Sequence, residues 1–173
     1  MSDLAYGTQD SAPAYKAGLT NWGAIWAGVF TFAAIWAVFE ALAVAIFGAG
    51  FSMGMAIWTI VLTVIAMYIA GLETGRLADV ANRHDGLIHG VIMFGLSVVS
   101  AALLMSVANG LFAGGAPAHS SSFLAMSPGA EWAEFIGLIL GWLAAMGGAS
   151  IGAGRRAEIR QAAQQPLQMH PAA

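Results

Sequence analysis

The chain has 173 residues, 59% of them hydrophobic and only 9% charged, against about 25% charged residues in an average soluble domain. With six Lys and Arg, nine Asp and Glu and a mean hydropathy of +0.75, the composition excludes a water-coated globule and points to the bilayer as solvent. A net charge of −3 excludes a strongly basic nucleic-acid surface, and the lack of cysteine excludes disulfides, thiolate catalysis and cysteine-based zinc sites.

Charge-free runs outline the membrane segments, because a charged side chain at the bilayer centre costs about 2.5–3.5 kcal/mol on the insertion scale, and about 20 apolar residues suffice to cross. The first twenty residues carry Ser, Asp and Gln rather than the basic and apolar regions of a cleaved signal, which predicts a cytoplasmic N-terminal tail and an uncleaved first span. That span is predicted over about 21–47. Gly48, Gly50, Ser52 and Gly54 punctuate the next run as a turn, placing the second span at about 53–72. A third follows at about 87–112. The Gly, Pro and Ser cluster of 114–122, and Ser127-Pro128-Gly129 after it, read as loop. The fourth span then covers about 132–153, within a membrane domain of 21–154. Residues 155–173 form a C-terminal tail, helical at first and ended by Pro166.

These elements predict an all-α polytopic membrane protein, a four-transmembrane-helix bundle running up-down-up-down. Lys16, Arg76, Arg83, Arg155, Arg156 and Arg160 all fall on one side of that topology. Because basic loops resist translocation, both termini and the middle loop are expected in the cytoplasm. Trp22 and Trp132 at span ends fit aromatic belts.

Packing signals dominate the spans. Gly71 and Gly75, Gly86 and Gly90, Gly137 and Gly141, and Gly148 and Gly152 have GxxxG spacing, and Ala24 and Gly28 form a small-xxx-small pair. Small residues allow the close backbone approach on which helix association in lipid depends. Two readings are open: a tight helix interface, within the monomer or between copies, or the ordinary glycine usage of membrane helices.

Glu40 is the one ionisable residue well inside a span, about eight residues and so roughly 12 Å from its outer end. Thr59, Ser106 and Trp142 lie at similar depth on the other spans, with Asn109 nearer the surface. These are the candidate partners of its carboxyl group. Two readings are open: a proton or cation site, since intramembrane carboxylates mark ion pathways, or a Glu that holds helices together.

Polar chemistry concentrates between spans two and three. Glu73 and Arg76 are three apart and Asp79 and Arg83 four apart, so both can pair on a helical extension. Asp85 reads as the N-cap of span three, and His89, four residues on, can pair with it. His84 and His89 fall on different helix faces, so no metal site is expected. No phosphate-binding glycine loop, HExxH or GxSxG pattern occurs, and no catalytic residue, cofactor or enzymatic activity is expected.

The stretches Asn21-Trp22-Gly23-Ala24-Ile25-Trp26-Ala27-Gly28, Ala70-Gly71 with Gly75-Arg76-Leu77-Ala78, and Asp85-Gly86-Leu87-Ile88-His89-Gly90, with a glycine-rich fourth span, resemble small four-helix bacterial membrane proteins of the PhnA-like type. The AGxxxGR and HG elements also resemble the YrzE-like family. The resemblance covers about 21–153 and implies a bacterial inner-membrane protein without an assigned activity. The expected function is structural or accessory, in contact with the lipid bilayer and packed with itself as a homo-oligomer or with another membrane protein through its Gly-rich faces. A small channel or transporter subunit using Glu40 is the alternative. A faint internal similarity links Ile46-Phe47-Gly48-Ala49-Gly50 to Leu111-Phe112-Ala113-Gly114-Gly115. Two like hairpins related by an axis along the membrane normal would produce it, and so would composition.

Overall fold

The computed structural model describes residues 20–48, 52–80, 82–112 and 128–168. These form four helices and, among the described residues, no strand: α1 (Trp22–Phe47), α2 (Met53–Leu77), α3 (Arg83–Phe112) and α4 (Pro128–Gln168). Each is long and apolar enough to cross a membrane.

Local chemistry sets the helix ends. The Asn21 side chain accepts the backbone N–H of Ala24 at 3.1 Å and caps α1. Gly48 follows α1 with φ +80°, a left-handed backbone that glycine adopts freely. Ser52 caps α2 through the N–H of Met55. Three helix ends differ from expectation. Helix α3 begins at Arg83, so Asp85 lies in its first turn rather than at its cap. Helix α4 begins at Pro128, because proline lacks only an N–H that the first helical turn leaves unpaired anyway. It then continues unbroken through 155–165 and past Pro166 to Gln168, where a ring near the helix end removes little hydrogen bonding.

The contacts between helices fix their relative directions. Phe39 approaches Trp58, whereas Gly28 approaches Ala70 and Thr74, so α1 and α2 are antiparallel. Gly90 faces Ala145 and Gly86 faces Ala153, so α3 and α4 are antiparallel as well. Helices α2 and α4 are parallel and make the closest pairing, with α1 and α3 on their flanks; α1 packs on α2 and α3 and makes no close backbone approach to α4. The alternation up-down-up-down follows.

The α2–α4 pairing is reciprocal. A β-carbon on Gly71 or Gly75 would collide with the carbonyl oxygens of Ala145 and Ala149 on α4, and one on Gly148 or Gly152 would collide with those of Tyr68 and Leu72 on α2. Only hydrogen fits between these backbones, in the position of a Cα–H···O contact. Gly148 lies 77 positions after Gly71, and Ala145 lies 77 after Tyr68; Gly152 and Ala149 stand in the same relation to Gly75 and Leu72. Adding this offset to either helix reproduces the same four contacts, which is the signature of a local two-fold axis between parallel helices. On the flanks, Gly28 packs against α2 much as Gly86 and Gly90 pack against α4. The symmetry is approximate, since α2 touches α3 whereas α1 does not touch α4.

The core is one-sided along the bundle axis. Ile25, Val29, Met67, Ala70, Met93 and Ala145 form its centre, and Ala24, Ala78, Val80 and Ala153 close the end where α1 begins. Toward the other end, α3 beyond Ser97 has no buried side chain among those described. Helix α1 exposes Phe30, Val38, Leu42 and Ile46, apolar surface suited to lipid contact.

Candidate functional site

The basic end of the bundle is held by polar side chains from all four helices. Arg76 pairs with Glu73 at 2.9 Å, as their spacing predicts. Asp79 does not continue the α2 helix. It turns the chain with φ +57°, a left-handed conformation that Asp tolerates better than most residues, and its carboxylate meets Arg156 at 3.3 Å and Arg160. The predicted Asp79–Arg83 pair is therefore not made. Arg83 instead faces Glu158 at 3.7 Å, because the turn at Asp79 carries Arg83 onto the next helix and toward α4. Arg156 also donates to the carbonyl of Arg76.

A second set of contacts joins α1, α2 and α3. His89 is 6% exposed, and its Nδ1 lies 2.8 Å from the backbone carbonyl of Asp85 rather than from the Asp85 carboxylate. That carbonyl can only accept, so Nδ1 carries the hydrogen and Nε2 is left to accept the backbone N–H of Asn21 at 3.1 Å. Asn21 also donates from its side chain to the carbonyl of Leu77 at 3.2 Å. Asn21, Arg156, Arg160 and Glu158 were absent from the site expected from sequence. Two signals for them were present: Asn21 directly precedes an apolar helix, and Arg156 and Arg160 are one turn apart on a helical extension.

The packing residues lie inside the chain. Gly28, Gly71, Gly75, Gly86, Gly90, Gly148 and Gly152 all meet neighbouring helices too closely for a side chain, and Ala24 is buried beside Ala78 and Val80. Gly141 faces Thr63 and Met67 on α2, and Gly137 faces Ile60 more loosely. By contrast, Gly95 and Gly147 have open space where a β-carbon would stand.

Glu40 sits on the less packed part of α1. Its Oε2 is sealed from the surface and has no hydrogen-bond partner, alone in this respect among the described side chains. Next to it, the Trp58 indole donates to the carbonyl of Phe39 at 3.3 Å. None of the partners expected from sequence supplies a donor to Oε2. Trp142 is on α4, whose backbone does not closely approach α1. Thr59 is half-buried on α2, Ser106 is exposed on α3, and the Asn109 side chain lies outside the described residues. Near the start of α4, Glu131, Trp132 and Phe135 border a shallow open depression. No group of His, Asp and Glu suited to a metal ion occurs among the described residues.

Comparison with protein-family models, with curated proteins and with solved structures finds no match to this chain. The likeness to PhnA-like and YrzE-like proteins therefore rests on short sequence motifs.

Proposed function

We propose that the chain is a non-enzymatic structural or accessory protein of the bacterial inner membrane, with both termini in the cytoplasm, that docks on itself or on another membrane protein. The observation carrying this reading is the use made of its polar and small residues. At the basic end the described charged and amide groups clamp helices to one another rather than converging on a cavity, and the glycine faces are spent on α2–α4 and α3–α4 contacts. What is left for partners is the apolar surface of α1 and of α3 beyond Ser97, together with the turn at Asp79 and the α4 extension. Basic side chains gathered at one end support the orientation.

The test is copurification from native membranes under mild detergent, with a tagged chain at native level. A stoichiometric homo-oligomer or a defined companion protein is expected. Recovery as a bare monomer, with an enzymatic activity in the same fraction, would overturn the reading.

The sealed, unpartnered Oε2 of Glu40 favours a second reading, a small channel or transporter subunit. It predicts that Glu40→Gln abolishes a proton-dependent flux in liposomes, whereas unchanged flux would remove it.

A further inference from the structure

We propose that Glu40 is an intramembrane proton-binding site, occupied by a proton and not by a metal cation. The argument starts from the orphan oxygen. Oε2 is sealed by protein and meets no donor. A carboxylate oxygen shut off from solvent and without a donor is disfavoured, because neither water nor protein offsets its share of the charge. Among the described residues no Lys, Arg or His forms an ion pair with Glu40. Only α2 and α3 pack on α1, and α2 holds a single titratable residue between Met53 and Leu72, Tyr68, on the basic-end half. Helix α3 holds none between Gly90 and Phe112. His89 and Asp85 on α3 and the arginines around Asp79 lie at the basic end, where Asn21 begins α1. Glu131 and Glu134 are on α4, which makes no close backbone approach to α1.

A proton resolves the deficit in a way a metal cation does not. Hard cations need about six oxygen ligands, and no group of three or more His, Asp and Glu side chains that could hold one occurs among the described residues. A protonated Oε2 becomes a donor, and donors inside these spans already satisfy themselves on the preceding turn. Thr31 donates to the Ala27 carbonyl at 2.8 Å, Thr74 to Ala70 at 2.9 Å, and Ser97 to Met93 at 2.9 Å. The inference stands on these surroundings and not on transport: a site that binds a proton without flux removes the channel reading and leaves the site.

Dicyclohexylcarbodiimide, an apolar reagent, tests it on the full chain in liposomes. It adds only to a protonated carboxyl: the carboxyl oxygen bonds to the carbodiimide carbon, the proton passes to nitrogen, and acyl migration leaves a stable N-acylurea with nothing expelled. Peptide mapping of the intact wild-type protein locates the label, so the result does not depend on a variant that folds. Glu40 is expected to label at neutral pH at least about tenfold faster than Glu131 or Glu134, with a rate falling about tenfold per pH unit once the proton is lost. Sodium or potassium at constant pH should leave that rate unchanged, and E40Q should abolish the label at this position. Suppression by either cation would assign the site to a metal ion and overturn the proposal. Absence of label at Glu40, while a water-soluble carbodiimide modifies Glu73, would overturn it equally.

Discussion

The backbone carbonyl of Tyr68 occupies the place where a β-carbon on Gly148 would stand, and the carbonyl of Ala145 stands in the same relation to Gly71. Any side chain at these glycines meets backbone, which cannot rotate away. Gly71→Leu or Gly148→Leu should therefore destabilise the bundle by about 1–3 kcal/mol or more, the usual range for overpacking a closed core. Thermal unfolding in detergent measures it. Leucine at Gly95 or Gly147, where the space is open, is the control and should change little. Equal losses at both pairs would show that the glycines are not held by this interlock.

The local two-fold relation makes a further demand. Gly71→Ala and Gly148→Ala should cost the same within error, and so should Gly75→Ala and Gly152→Ala. The two members of a pair act on one helix contact, so the double variant should fall short of the sum by about 0.5 kcal/mol or more, as coupled neighbours do. A double-variant cycle on the unfolding midpoint gives the answer.

His89 ties the first residue before α1 to the first turns of α3. His89→Ala leaves the part-buried Asn21 N–H without its acceptor, at a cost of about 0.5–1.5 kcal/mol, the net worth of one hydrogen bond. Amide exchange over residues 21–25 should accelerate more than exchange over α4. Uniform acceleration across all four helices would mean that His89 serves the whole bundle rather than this junction.

The grip of Asp79 on Arg156 and Arg160 is half exposed, so its contribution to global stability should stay below about 1 kcal/mol. Its local effect is larger in kind. Asp79→Ala should speed tryptic cleavage at Arg155, Arg156 and Arg160 severalfold. The same cleavage of the wild-type chain should rise with added salt, which screens exposed ion pairs. A cleavage rate indifferent to both changes would show that α4 holds its extension without the clasp.

Single cysteines introduced into this cysteine-free chain read its orientation. His84→Cys should react with a membrane-impermeant thiol reagent only after the cytoplasmic face is opened, and Gly50→Cys should react from outside intact cells. The reverse pattern would invert the proposed topology.

The four spans were legible because charge is expensive in lipid: Glu73, Glu131 and the arginines mark where apolar helix has to stop crossing. Packing glycines were legible by spacing alone, since Gly71, Gly75, Gly148 and Gly152 repeat every fourth residue. Their pairing was not, because a GxxxG face is equally suited to a neighbour in the chain or in another copy. The polar end departs from its sequence pattern at two residues. Spacing on a continuous helix predicts Asp79 beside Arg83, but the chain turns at Asp79 with a positive φ, and a left-handed Asp leaves no periodic signal. Asp85 has the pattern of a cap for a similar reason: the helix starts two residues earlier, at Arg83, where charged residues mask the beginning of the apolar pattern. Depth alone nominates partners for Glu40 but ignores azimuth; Trp142 has the right depth on a helix whose backbone does not closely approach α1.

Parallel α2 and α4 have a consequence for biosynthesis. The carbonyl row of Tyr68 and Leu72 can be covered only when Gly148 and Gly152 have been made, 77 positions after Gly71 and Gly75. At about 5–20 residues per second of translation, the first hairpin waits roughly 4–15 s beside the translocon with its glycine groove filled by lipid or by an insertion factor. The chain is assembled last at the contact that holds it most closely, so ribosome stalling between α3 and α4 should leave a half-protein with an open, adhesive helix face.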